Sequence, residues 1–135
     1  MLGTEGECLP YGHNRVELSD EVDDFGVPRP LVTFDYGDNE RAMRAEIHRL
    51  GTQILDAAGA GDVVVSEGND HTMGGCRMGD DPATSVVNPD LRCHDHPNLY
   101  VCDASVFVTP GGAQPSQTIQ ALATRLADHL ATAAR

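Results

Sequence analysis

The chain has 135 residues, 40% of them hydrophobic, and its 14 glycines bring the apolar share to an ordinary globular value. That excludes a disordered tail and leaves room for one compact domain, or one large piece of a bigger domain, burying about two-thirds of its unfolded surface. Nine basic against 21 acidic residues give a formal net charge of −12, which argues against a nucleic-acid backbone or an anionic membrane surface as partner, because both need a basic face.

Polar punctuation at Pro10, Gly12 and Asn14 opens the chain, and Arg15–Leu18 alternates charged and apolar residues as a short strand does. The acidic stretch from Ser19 to Asp24 reads as a solvated loop. Val27 to Tyr36 reads as a second strand, with Pro28 and Pro30 confining its first half to a sheet edge. From Glu40 to Ala58 the pattern turns helical: Ala42, Ile47, Leu50, Ile54 and Leu55 fall near one face, Asp38 or Asn39 offers an N-cap, and Gly59 follows the end. Val63–Val65 is expected to be a short buried strand. Gly68 to Gly79, rich in Gly, Met and His, has the composition of a loop that approaches something closely. Val86–Val87 and Leu99–Val101 read as short strands bracketing a polar excursion. Pro115–Ala133 is a predicted helix with Pro in its first turn and Ile119, Leu122, Leu126 and Leu130 near one face.

The four cysteines, Cys8, Cys76, Cys93 and Cys102, include no C-x-x-C pair, so neither a disulfide scaffold nor a thioredoxin-like motif is signalled. Reduced thiols in a cytoplasmic setting are the simplest expectation. Met1–Glu5 lacks a basic stretch followed by an apolar one, and no run approaches the ~18 apolar residues of a membrane span.

Three segments could carry chemistry. His71, within HTMGGCRMG, has an imidazole that works as a base near neutral pH, although a loop histidine bonded to backbone is the plainer reading. Asp103-Ala104-Ser105, after NLYVC, puts small residues where a phosphate or a polyol chain could approach backbone N–H groups; its plainer reading is a turn closed by Ser105. A helix opening at Pro115 aims unpaired N–H groups and partial positive charge at whatever precedes it, or is simply a well-started helix.

Taken in order, HTMGGCRMG, VVNPDLR, NLYVCDAS and GGAQPSQTIQALA resemble the C-terminal region of the glucose-methanol-choline (GMC) flavoprotein oxidoreductases. NRVEL and YGDNERAMR are more loosely similar to that family's substrate-domain segments. The resemblance implies an α/β fold of α+β character: residues 1–70 as part of a substrate-binding domain with antiparallel sheet and helix, and residues 71–135 as the catalytic, flavin-contacting part of an FAD-binding domain. It also implies FAD-dependent oxidation of a CH–OH donor, an alcohol or sugar. His71 then matches the base that takes the hydroxyl proton while the hydride goes to the flavin. Gln114 falls where the family usually carries Asn or His to bond the same oxygen. Gln keeps the amide but adds a methylene and a rotor, so Asn there is expected to be neutral or better. Asp103 and Ala104 match positions along the ribityl and pyrophosphate of FAD. Pro115, Ser116, Gln117 and Thr118 match the helix start that faces the negative charge on the reduced flavin.

The Gly-rich G-x-G-x-x-G cradle of a dinucleotide fold is missing; Ala58-Gly59-Ala60-Gly61 follows a helix and precedes an expected strand, the wrong order. The chain therefore reads as a C-terminal part that needs an N-terminal FAD-binding part, on the same or a separate chain. Two alternatives stand beside this reading. One is a non-catalytic remnant or split-subunit module without its own cradle. The other is a zinc site drawn from His71, Cys76, Cys93, His94, His96 and Cys102, disfavoured because only His94 and His96 are closely paired.

Overall fold

In the computed structural model, which describes residues 1–66, 68 and 71–133, the first element is an antiparallel hairpin of β1 (Arg15–Val22) and β2 (Pro28–Thr33). Arg15 pairs with Thr33, Val16 with Val32, Glu17 with Leu31 and Leu18 with Pro30, and a register shift then brings Val22 opposite Pro28. The first strand thus runs through Ser19–Val22, which sequence alone assigns to loop. The cause lies in the turn. The Asp23 carboxylate accepts from the N–H groups of Phe25 and Val27 at 2.9 and 3.0 Å, and Gly26 takes φ +77°, so the five residues 23–27 suffice to reverse the chain. The second strand ends at Thr33, short of the expected Tyr36, because Asn14 takes over the pairing with its side chain: its amide donates to the Asp35 carbonyl and accepts the Asp35 N–H.

Helix α1 spans Asp38–Ala57, close to the expected 40–58, and Gly59 at φ +74° follows it as foreseen. Its N-cap, however, is Gly37 and not Asp38 or Asn39. Glu40 reaches back to accept the Gly37 N–H at 3.0 Å, which fixes the start two residues earlier than expected. The inward stripe also differs from the expected one. Ile47 and Leu55 are half-buried, but Leu50 and Ile54 are 44% and 56% exposed, and the covered face runs through Glu40, Met43, Ile47 and Gly51. The chain before β1 lies against that face. A Cβ on Gly6 would meet Met43 Sδ at 2.5 Å, and one on Gly51 would meet Leu2 Cδ2 at 3.6 Å. Val63–Val65 is not a strand: Val64 and Val65 are exposed, and no described residue pairs with this run.

Among the described residues the buried apolar core lies in the second half, in Val87, Leu91, Cys93, Val106 and Leu126. The expected strands at Val86–Val87 and Leu99–Val101 contract to single bridges, Met78 with Val87, Val87 with Cys93 and Arg92 with Tyr100. Longer pairing is prevented by the Asn88 turn, whose side chain accepts the N–H groups of Asp90 and Arg92, and by Leu91, which is fully buried at φ +62°. Helix α2 covers Ser116–Ala133, with the Pro115 carbonyl accepting the Ile119 N–H, so the expected start holds to within one residue. It seats Leu126 and Leu122 on the core, and the Arg125 guanidinium donates to the Pro89 carbonyl.

Two helices and a two-stranded antiparallel sheet make the mixed α/β fold expected. The accessible surface is 9809 Å² for 14.4 kDa, against about 6,800 Å² for a compact monomer of that mass. No described helix is long and apolar enough to cross a membrane.

Candidate active site

The His71 loop is fastened to the Asp103–Val106 segment by three backbone hydrogen bonds: Gly74 N–H to Ala104 O at 3.3 Å, Cys76 N–H to Ser105 O at 2.9 Å and Met78 N–H to Val106 O at 2.9 Å. Ala104–Val106 is a short 3₁₀ turn capped by Asp103, whose Oδ1 accepts the Ser105 N–H at 2.8 Å. The side-chain and backbone hydrogen bonds of Ser105 hold the Asp103 carboxyl below the usual aspartate range. Gly74 is required at the contact: its φ is +83°, and a Cβ would come within 3.2 Å of the Phe107 carbonyl.

His71 itself is exposed and takes φ +57°, a left-handed conformation that histidine tolerates better than most residues. Residues 69 and 70, just before it in the expected loop, lie outside the described residues. His71 lines a cleft of about 1,110 Å³ whose walls include Val16 from β1, Phe34 just after β2, Met43 from α1, Phe107 and Gly111. The two halves of the chain therefore meet around His71.

The other expected site residues fall in different places. Ser105, Gly111 and Ala113 belong to the cleft walls, but Asp103, Ala104, Gln114 and Pro115–Thr118 do not. Gln114 is exposed, and its Nε2 donates to Glu5 Oε1 at 2.8 Å, while the Gly111 N–H donates to Glu7 Oε1 at 3.3 Å. Pro115 is buried and Ser116, Gln117 and Thr118 are exposed. The first turn of α2 holds no acidic residue, in contrast to α1 with Asp38 and Glu40, so its unpaired N–H groups keep their positive end.

Sequence reasoning missed Glu40. Its carboxylate is 1% exposed and accepts hydrogen bonds from Leu9 N–H at 3.0 Å, the Asn39 amide at 3.2 Å and Gly37 N–H at 3.0 Å. Burial pushes its pKa up, but the bonds from Leu9, Asn39 and the Tyr11 hydroxyl outweigh it and bring the carboxyl down to about 2. Tyr11, as donor to Glu40, is raised, and Cys8 is raised by burial and then by the Glu40 charge. The Gly37-x-x-Glu40 spacing at a helix start was the available signal, had glycine been allowed as the cap.

Nothing described supports the zinc alternative. His94 Nε2 lies 3.0 Å from Ser85 Oγ and 3.2 Å from the Gly79 carbonyl, which ties two loops together, and Cys93 is buried in the core. Among the described residues no group of three His, Cys, Asp or Glu side chains is placed to hold a metal ion.

The Gly-rich His loop fastened to an Asp-Ala-Ser turn, and the helix that follows, carry the motifs that resemble one class of oxidoreductase. Residues 10–123 match the family model described as GMC oxidoreductase, that of the C-terminal region, and the chain belongs to this family. It is 42% identical over 129 residues to the paromamine 6'-oxidase of Streptomyces fradiae, covering 90% of this chain and 24% of that protein. It is 36% identical over 126 residues to the fructose dehydrogenase large subunit of Gluconobacter japonicus, covering 90% and 23%. It is also 36% identical over 136 residues to the 2-methyl-1,2-propanediol dehydrogenase of Mycolicibacterium austroafricanum, covering 96% and 25%. The chain thus spans about a quarter of the length of these relatives.

Proposed function

We propose that the chain is the catalytic part of an FAD-dependent oxidoreductase acting on the CH–OH group of a sugar or polyol, with residues 1–70 contributing to the substrate side and 71–135 to the flavin side. The observation that carries this reading is His71 on the wall of a cleft formed by both halves, on a loop fastened to the Asp103–Val106 turn. The names of the relatives, a paromamine 6'-oxidase, a fructose dehydrogenase and a 2-methyl-1,2-propanediol dehydrogenase, support a hydroxyl-bearing substrate.

The residues present fit an anionic cofactor. The first turn of α2, Ser116–Thr118, offers backbone N–H groups with no acidic neighbour in that turn. The Asp103 carboxylate is engaged by the N–H and the side chain of Ser105 and keeps further lone pairs for a ribityl hydroxyl, and Ala104 is small enough for close backbone approach. FAD, when bound, supplies the hydride acceptor. His71 takes the hydroxyl proton as the carbinol C–H pair departs as hydride, so the alcohol loses two electrons and two hydrogens and becomes a carbonyl. Proton removal by a positioned base avoids a cationic carbonyl and contributes roughly 10²–10⁴-fold. The chain lacks the Gly-rich cradle, so the partner required is the FAD-binding polypeptide, joined or separate.

The test is to supply that polypeptide and add sugars and polyols anaerobically while following flavin absorbance. Bleaching by one of them is expected, with His71→Ala retaining the flavin and bleaching roughly 10²–10⁴-fold more slowly. Equal bleaching by His71→Ala removes His71 from the chemistry. Absence of flavin from the assembled protein favours the non-catalytic module.

A further inference from the structure

We infer that Arg77 is a specificity residue of the cleft and that the substrate it selects is a hydroxy acid, whose carboxylate it binds; this rests on the function proposed above and narrows its substrate. Arg77 and His71 line the same cleft. Six residues of chain separate them, a span of at most ~20 Å, which the turn at residues 75–76 shortens. The backbone beside Arg77 is fixed to the 105–106 segment through the Cys76 and Met78 N–H groups, and the Arg77 carbonyl accepts the Val86 N–H at 2.9 Å. Arg77 Nε donates to the Thr84 carbonyl at 2.7 Å, and Thr84 is itself part of the cleft wall. The side chain is thus held at both its ends.

This arrangement leaves a charge unmatched. Among the described residues the charged side chains of the cleft lining, histidines aside, are Glu5, Arg15, Arg44 and Arg77. Arg15 is paired with Glu17 at 2.6 Å, and Arg44 lies over the Tyr36 ring at 4.5 Å. No described carboxylate pairs with Arg77, although the chain carries 21 acidic residues against nine basic ones. Asp81, in the adjoining turn, gives its carboxylate to the Ala83 N–H at 2.9 Å, and the Thr84 and Ser85 hydroxyls both donate to the Asp81 carbonyl. With Nε engaged, the two Nη groups of Arg77 remain, an end-on pair of donors spaced for the two oxygens of one carboxylate. A neutral polyol offers that fork only hydroxyl oxygens and leaves the charge of a half-buried guanidinium unbalanced. One unpaired guanidinium balances one negative charge, which favours a carboxylate over a phosphate dianion. An aldonate, the acid of a sugar chain, carries that carboxylate and several carbinols on one skeleton, so one molecule can meet both Arg77 and His71.

The experiment uses the assembled FAD-containing enzyme and a panel of aldonates, each set against the alditol of the same carbon skeleton, with initial rates read from an electron-accepting dye. For at least one pair the aldonate is expected to have the higher kcat/KM, by about 10-fold or more. Arg77→Gln should lower kcat/KM for that aldonate about 10- to 100-fold more than for its alditol. The loss should lie in KM, because a contact remote from the reacting carbon binds ground and transition states alike. Arg77→Lys, which keeps the charge and loses the fork, should fall between the two. Alditols preferred in every pair overturn the inference and leave the oxidoreductase reading intact, and that outcome needs no variant. Equal losses for acid and alditol in Arg77→Gln also overturn it, by reducing Arg77 to a structural tie on Thr84. Release of the FAD-binding polypeptide by Arg77→Gln, with the substrate preference unchanged, overturns it in favour of a carboxylate on that polypeptide. No turnover of any acid, sugar or polyol by the unsubstituted enzyme overturns both readings.

Discussion

Leu9 donates its N–H to Glu40 Oε1 at 3.0 Å across 31 residues of sequence, and this bond ties the segment preceding the hairpin to the start of α1. The same carboxylate also serves the helix N-cap at Gly37, so one buried charge organises two pieces of backbone. Its low pKa, about 2 against an ordinary 4.5, makes it a source of stability with a defined pH window. A carboxyl depressed in the folded state contributes fully above its unfolded pKa and loses that contribution as pH falls through the folded value. Melting temperature is therefore expected to drop between about pH 4.5 and 2, and the Glu40→Gln variant, lower at neutral pH by about 1–3 kcal/mol, should show a flatter profile there. Circular-dichroism melts at stepped pH check both parts; an equal slope in the two proteins removes Glu40 as the source.

Gly37 faces the Tyr11 ring so closely that an added Cβ would lie 2.4 Å from Cζ. Tyr11 cannot simply retreat, because its hydroxyl is bonded to Glu40. Gly37→Ala should cost about 1–3 kcal/mol, as overpacking does. In a Tyr11→Ala background the same substitution should cost almost nothing, and chemical denaturation of the four proteins measures the coupling. Equal costs in the two backgrounds would place the strain elsewhere.

Gly74→Ala combines a disfavoured φ of +83° with a backbone carbonyl, that of Phe107, 3.2 Å from the new methyl. About 1–3 kcal/mol of destabilisation is expected. Because Gly74 N–H is also the first of the three bonds that fasten the His71 loop, flavin bleaching by substrate should slow as well. A variant with the melting temperature and bleaching rate of the parent contradicts the claim that this contact positions His71.

Asp103→Ala removes the acceptor for Ser105 N–H and should destabilise the 103–106 turn by about 0.5–2 kcal/mol. Asp103→Asn keeps an acceptor oxygen and should recover most of the loss. Proteolytic nicking after partial unfolding, compared across the three proteins, reports on this turn, and identical behaviour of Ala and Asn variants would show that the hydrogen bond contributes nothing.

Local rules read the helices well because their signals are local: α1 and α2 both begin and end within two residues of the positions predicted from apolar spacing, Gly59 and Pro115. What escaped was set by distant partners. The Val63–Val65 run has the composition of a buried strand, but burial needs a neighbour, and no described residue supplies one. The acidic stretch Ser19–Val22 looks like loop, yet a turn closed by Asp23 draws it into a strand exposed at nearly every position, where charge carries little cost. Glu40 inverts that case: glutamate is read as surface, and only the donors at Leu9, Gly37, Asn39 and Tyr11 make its burial tolerable. Of the candidate site, the segments around His71, Asp103 and Pro115 were legible as motifs. The pairing of Gln114 with Glu5 was not, because no short-range rule links residues 109 positions apart.

Among the described residues all five buried apolar side chains lie between Val87 and Leu126, whereas the β1–β2 hairpin contributes none. Resistance to opening should be distributed in the same way. Amide protons of the hairpin are expected to exchange with deuterium soon after transfer to heavy water, since their release needs only local fraying. Those bonded within residues 76–106, such as Met78 and Val101 N–H, should exchange through a much costlier cooperative opening of the core. The hairpin half of the chain should thus be the more pliant one, and the half that carries His71 the rigid one against which it can adjust.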